Sequence, residues 1–281
     1  MKNQKELHLN EEGEMSKPLF SIITVSYNSE KTIERTIKSV LSQTESNYEY
    51  WIIDGGSSDG TMDIVKSYQP LFKGKLFSKS EPDSGIYNAM NKGIIATSGK
   101  IIGLVNSDDW LEENALENVR YAMEKVENPY NSIYCGWMYF HYMNGKIGLM
   151  KTSKKRLDKC FSKLKMGVRH PATFVPAHIY EQIGTFDESL KIMADKDFIF
   201  RCINDNVRFY FINEALTNMS DGGISNNKKY RKKSYDDIKY FYSKHTTSRF
   251  KYNIFLLRDM LILHIKGFIP QRLLEIIRDV R

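Results

Sequence analysis

Long apolar runs are missing from this 281-residue chain. None reaches the roughly 18 residues that a membrane-spanning helix needs. Residues 1–17 are polar and lack an apolar centre, so they read as a mobile leader and not as a secretory signal. Cysteine is scarce, at three residues. Cys135, Cys160 and Cys202 are isolated and odd in number. That excludes a disulfide framework and a CxxC metal knuckle, and it fits a reducing cytoplasm. Glycine is not arranged as GxGxxG after the first apolar run, and no P-loop is present, which argues against a dehydrogenase and a P-loop enzyme. No internal repeat is evident.

What is present is an uneven charge. The net charge is +7, but residues 226–281 hold 14 Lys+Arg against 5 Asp+Glu. The first 225 residues hold 27 and 29. A near-neutral body therefore carries a basic tail. The physical candidates for its partner are an anionic membrane and nucleic acid. No nucleic-acid motif accompanies the charge, so nucleic acid is set aside.

The body alternates strands and helices. Leu19–Ser26 is a short β-branched run and reads as a first strand. Tyr27-Asn28-Ser29 turns it, and Ser29 is placed to cap a helix bearing Ile33, Ile37, Val40 and Leu41. Tyr48–Asp54 is a second strand, followed by a turn-rich loop and a helix with Met62, Ile64 and Val65. Lys75–Lys79 is a third. Asp83-Ser84-Gly85 opens a helix through Ala89, Met90 and Ile94. Ile101–Val105 is a fourth strand, buried on both faces, with a helix over about 112–127 after it. This alternation predicts an α/β fold with a mostly parallel sheet flanked by helices.

Beyond residue 130 the pattern changes. Met143-Asn144-Gly145 between Ser132–Tyr142 and Lys146–Thr152 predicts a hairpin. Lys154–Lys165 reads as a basic connector. In Val168–Val175, Pro171 argues for an edge or irregular segment. Pro176–Ile183 is a helix stopped by Gly184, Ile192–Asn204 is another, and Val207–Asn213 is a last strand.

In such sheets ligands bind beyond the carboxyl ends of the strands. Tyr27-Asn28, Asp54-Gly55, Asp83 and Asp108-Asp109 all fall there. The stretch Asn106-Ser107-Asp108-Asp109 is the most informative. Adjacent carboxylates at the end of a buried strand repel each other and resist desolvation. A hard cation relieves both costs, and Mg2+ or Mn2+ takes one or two carboxylates plus substrate phosphates and water. The same residues also suit a turn with a helix N-cap.

Taken together, the stretches SIITVSYN, SVLSQT, YEYWIIDGGSSDGT, PDSGIYNAMNKGI, GLVNSDDW, GTFDESLKIMADKDF and GGIS resemble family-2 glycosyltransferases of the GT-A fold, particularly the bacterial surface-polysaccharide branch. They run over about residues 18–225. The resemblance implies a nucleotide-sugar-binding fold and an inverting, Mg2+- or Mn2+-dependent transfer of a sugar. The donor would be a nucleotide sugar, with UDP-sugars first in line. The acceptor would be a hydroxyl of a glycan, lipid-linked in this branch. Tyr27, Asp54 and Asp83 would line the nucleotide pocket. Asn106-Ser107-Asp108-Asp109 stands where the family has D-x-D, so Asn106 and Asp108 would face the donor while Asp108 and Asp109 hold the metal. Asp195 stands at the catalytic base. Three positions depart from the pattern. Asp54-Gly55-Gly56 has one carboxylate fewer than the usual Asp-Asp-Gly, Asn106 replaces the first Asp of D-x-D, and Ala194 replaces the Glu before the base. Two alternatives stay open: transfer to a polyprenyl phosphate, which needs no strong base, and a nucleotide-sugar-binding subunit without catalysis.

His170 in RHPATF is placed either to contact donor or acceptor or to serve structure. Gly222-Gly223-Ile224-Ser225 is a lid over the donor or a plain linker. In residues 226–281 a basic run, Lys228-Lys229-Tyr230-Arg231-Lys232-Lys233, precedes a patterned stretch, 255–281, that suits two amphipathic helices broken near Pro270. They either lie on an anionic membrane at the inner face of the cell membrane or pack on the domain or a second subunit.

Overall fold

In a computed structural model of the chain, residues 17–221 and 231–268 are described. The leader through residue 16, the Gly222–Ser225 stretch and the end of the tail beyond 268 lie outside the described residues.

Four parallel strands form one half of a single sheet: β1 (Phe20–Ser26), β2 (Tyr48–Asp54), β3 (Leu76–Ser80) and β4 (Ile101–Leu104). Their side chains alternate between two cores. Phe20 and Ile22 of β1 face one side with α1 (Ile33–Leu41), α2 (Thr61–Tyr68) and α4 (Ala115–Glu124). Ile23 and Val25 face the other with α3 (Ile86–Ala96), α6 (Ala177–Ile183) and α7 (Ala194–Asn204). Both faces are covered, as parallel strands require. All four residues of β4 are buried. Gly103 interrupts that run for a packing reason, since a Cβ there would fall 2.6 Å from the Phe174 ring.

The second half is mixed. β5 (Trp110–Leu111), β6 (Ser132–His141), β7 (Ile147–Met150), β8 (Thr173–Pro176) and β9 (Arg208–Ser220) complete the order β3-β2-β1-β4-β8-β6-β9-β5, with β7 on β6. The predicted hairpin is the antiparallel β6–β7 pair. β6 runs parallel to β9, and its register shifts around Gly136. There a Cβ would strike Leu216, so the two strands approach too closely for a side chain.

Three local expectations need correction. Ser29 does not cap α1 with its side chain. Its hydroxyl is engaged with Ser107, and Thr32 is the capping position without a side-chain bond. The basic connector is helix α5 (Lys154–Phe161), capped by Ser153 Oγ accepting from Arg156 N–H at 3.2 Å. Pro171 sits in a tight 3-10 turn, His170–Ala172, whereas β8 after it lies inside the sheet between β4 and β6.

Of the two readings of the tail, its described part packs against the domain. α8 (Arg231–His245) buries Ile238, Phe241 and Tyr242 against Phe200 of α7. α9 (Arg249–Phe268) adds Tyr252, Phe255 and Leu256 to the same cluster.

Candidate active site

The chain runs outward from β1 through β2 to β3, then returns to place β4 on the other side of β1. That reversal opens a crevice at the carboxyl ends of β1 and β4. The loops there are tied together. Ser29 and Ser107 share a 2.7 Å hydrogen bond between the β1 and β4 loops. Asn28 N–H donates to Ser57 Oγ at 2.7 Å, and Asn28 Oδ1 accepts from Ser58 N–H at 2.9 Å, joining the β1 and β2 loops.

Asp54 lies fully buried at the base of this crevice. Its oxygens accept from Ser26 Oγ, Gly56 N–H, Ser57 N–H, Ser57 Oγ and Ser80 Oγ at 2.5–3.1 Å. Burial alone would push its carboxyl up, but the bonds from Ser57, Ser80 and Ser26 outweigh that and hold it below the ordinary range. Its carboxylate shapes the loop, and two other groups reach this edge. Those groups are Tyr27 and Asp83. A Cβ on Gly55 would lie 2.5 Å from Asp83 Oδ2 and 3.4 Å from the Tyr27 ring, so the two side chains meet over bare Gly55 backbone. Tyr27 is 65% exposed, an aromatic face presented to solvent.

Asn106, Asp108 and Asp109 follow β4. Asp109 turns inward at 1% exposure. Its Oδ1 accepts from Ser220 N–H at the end of β9 (3.1 Å), and its Oδ2 accepts from Asn106 Nδ2 (3.1 Å). Asp108 is half-buried. Burial raises both carboxyls, and the charge of Asp108 raises Asp109 further. Arg35 of α1 offers partial relief. It stacks 3.6 Å over Trp110 and donates to Asp108 O (2.8 Å) and Ser220 Oγ (2.9 Å), and its charge pulls both carboxyls down. Asn106 Oδ1 is buried with no donor among the described residues.

These groups fit a hard divalent cation. The donors are all oxygen, the negative charge is under-compensated, and one buried acceptor is unpaired. No cluster of three or more His, Cys, Asp or Glu is assembled among the described residues. Two carboxylates with the remaining positions left to phosphate and water is the pattern Mg2+ adopts at nucleotide sites.

Asp195 stands in the first turn of α7, half-buried, and Oδ1 accepts from Tyr87 O–H of α3 at 3.1 Å. Burial, and then the charge of Asp195, push the Tyr87 phenol far above its ordinary value, so it stays a donor. His170 feels the charge of Asp195, but burial dominates and lowers its pKa, which leaves the ring neutral near pH 7. Its ring packs edge-on against Phe186. Asp197 is buried away from these groups and is filled by Arg201 (2.8 Å), Lys244 (2.9 Å) and His245 (2.8 Å). Sequence reasoning missed Arg35, Trp110 and Ser220. A cavity of about 280 Å³ lined by Asn128, His178, Gln182, Asp205 and Arg208 lies at the opposite end of the sheet, where β6 and β9 begin.

Residues 21–181 match the model of the family described as glycosyl transferase family 2. The chain belongs to this family. An uncharacterized glycosyltransferase of Methanocaldococcus jannaschii is 31% identical over 239 residues, 81% of this chain and 80% of that protein. Among solved structures, S. aureus TarS 1-349 in complex with UDP-GlcNAc aligns with a TM-score of 0.64 at 18% identity, over 85% of this chain and 70% of that one. The chain spans 43% of a longer TarS structure. A mannosyltransferase from Pyrobaculum calidifontis, in complex with GDP-Man and Mn2+, aligns with a TM-score of 0.60 at 14% identity, over 89% of this chain and 70% of that one. The fold of this glycosyltransferase is therefore GT-A, and relatives of that fold carry nucleotide sugars and, in the second case, a divalent metal.

Proposed function

We propose that this glycosyltransferase is an inverting, metal-dependent enzyme of cell-surface polysaccharide synthesis that works at the inner face of the cell membrane. It would move a sugar from a nucleotide sugar, a UDP-sugar first, to a hydroxyl of a lipid-linked glycan. The observation that carries this reading is the Asn106–Asp109 cluster at the β1/β4 crevice, with under-compensated carboxylates beside an unpaired buried oxygen.

Tyr27 and Asp83, meeting over Gly55, would hold the nucleoside. Asp108, Asp109 and Asn106 Oδ1 would hold Mg2+ or Mn2+, which when bound supplies positive charge against the leaving diphosphate. Arg35 keeps the loop bearing Asp108 fixed through its backbone carbonyl. Asp195 takes the proton of the attacking hydroxyl, and Tyr87 orients its carboxylate. A single base opposite the leaving group gives inversion. His170, neutral and within the field of Asp195, would contact the acceptor or the diphosphate.

The test is purified full-length protein with Mn2+ against a panel of nucleotide sugars. One donor should release its nucleoside diphosphate, EDTA should stop the release and Mn2+ should restore it. A panel with no donor turned over sinks the catalytic reading.

The membrane part of the proposal is supported by α9. Phe250, Ile254, Leu257 and Leu261 are exposed, at spacings of four, three and four, so they share one face. Arg249 and Lys251 begin that helix, a combination that suits an anionic surface. No helix among the described residues is long and apolar enough to cross a membrane. The protein should float with phosphatidylglycerol vesicles, and 0.5 M salt should weaken that binding through screening. Leu257→Glu should abolish it. Absence of binding, or a concentration-dependent dimer lost in Leu257→Glu, would assign the stripe to a second copy instead.

A further inference from the structure

The helix that carries Asp195 is held from outside itself. Its capping position, Met193, makes no side-chain cap bond, so the turn leading into α7 must find other partners for its backbone. It finds one carboxylate. Asp237 of α8, only 3% exposed, accepts from Lys191 N–H (2.9 and 3.1 Å to its two oxygens), Ile192 N–H (2.6 Å) and Met193 N–H (3.2 Å). Three successive amides converging on one anion form a nest of the kind that binds charged groups firmly.

A second tie lies just beyond the base. Lys244 and His245, one helix turn or more further along α8, reach Asp197. Between the ties, Lys196 stretches over the Phe241 ring of α8 at 3.9 Å. Asp195 is thus bracketed on both sides by contacts to a single helix.

We propose that Asp237 is a positioning residue for the base: α8 acts as a splint that fixes the first turn of α7, and Asp237 is its anchor. The proposal rests on the assignment of Asp195 as the base. A base displaced by about an ångström loses on the order of a hundredfold in rate without weakening donor binding. The basic C-terminal segment then has a duty in catalysis that is separate from any surface it touches, and trimming it back through α8 would disable an enzyme whose donor pocket is intact.

The experiment is a double-mutant cycle in the full-length enzyme, with Asp237→Ala, Asp195→Asn and both together. Asp237→Ala should lower kcat about ten- to hundredfold with donor KM unchanged within about twofold. In the Asp195→Asn background it should cost less than about twofold more, because the base it positions is already gone. Losses that multiply in the double variant, or donor KM rising with the fall in kcat, would overturn the proposal. Hydrogen exchange gives a readout free of turnover: the amides of residues 191–193 should exchange faster in Asp237→Ala, and unchanged exchange there also overturns it. Should the alanine variant fail to fold, Asp237→Asn, which keeps one acceptor oxygen, carries the same cycle and the same two criteria. If Asp195→Asn alone keeps near-normal turnover, the base assignment is what fails. The tie is then judged by exchange at 191–193 alone, with faster exchange supporting it and unchanged exchange overturning it.

Discussion

Asp195→Asn should cut turnover by at least about a hundredfold, the low end of what a general base contributes, while donor binding stays nearly the same. The substitution keeps the shape of the side chain and its acceptance of the Tyr87 hydroxyl, a 3.1 Å bond that either oxygen type can receive. It removes only the ability to take a proton. The neighbouring carboxylate cannot substitute. Asp197 has its oxygens filled by Arg201, Lys244 and His245, which hold it ionised against the cost of burial. Among the described residues His170 is another group of suitable chemistry that feels the charge of Asp195, and burial lowers its pKa. Steady-state kcat with a glycan-hydroxyl acceptor, alongside a donor dissociation constant by calorimetry, decides the matter. Near-normal kcat would move the role of base to His170, or point to an acceptor that is already an anion, such as a polyprenyl phosphate.

Where side chains act through neighbours in sequence, the chain was readable. The β2 boundaries Tyr48–Asp54 match the expectation, and β1, β3 and α3 match to within a residue or so, because each is a short apolar run bounded by turn chemistry. The crevice was readable for the same reason: its polar groups cluster at strand ends. What escaped is what depends on distant partners. β9 runs to Ser220 through the polar Asn213-Glu214, because β6 and β5 both pair with it. β5 is two residues long and exists only through that pairing. Nothing near Arg35 in the sequence marks it out, since Asp108 and Ser220 lie 73 and 185 positions away. The basic residues of α8 suggested a free surface, yet Lys244 and His245 are spent on Asp197, 47 and 48 positions earlier in the chain. Charge composition does not reveal which charges are already paired.

The same distinction governs the metal test, where the two adjacent carboxylates should behave differently. Asp109→Ala is a poor probe, because Asp109 is buried and ties the β4 loop to Ser220 at the end of β9. Its loss should unsettle the fold as well as the site. Asp108→Ala is the clean one. The Asp108 carboxylate is half-buried, and among the described residues its own backbone N–H and the charge of Arg35 favour its ionised form. Removing it would delete a proposed ligand and relieve repulsion on Asp109, so the melting temperature of the metal-free protein should hold or rise. Mn2+ affinity measured in the presence of a nucleoside diphosphate should fall at least about tenfold, since a lost carboxylate ligand is worth more than 1.4 kcal/mol to a hard cation. Turnover should fall on the order of a thousandfold, in keeping with the several kcal/mol a metal contributes against a leaving diphosphate. Asn106→Ala should show a weaker version of the same pattern, because the unpaired Asn106 Oδ1 would be only a neutral donor to an ion held there. Full Mn2+ affinity in Asp108→Ala would mean that the cluster is a turn held by Asp109 and Asn106, and that any metal is carried in by the donor's own phosphates.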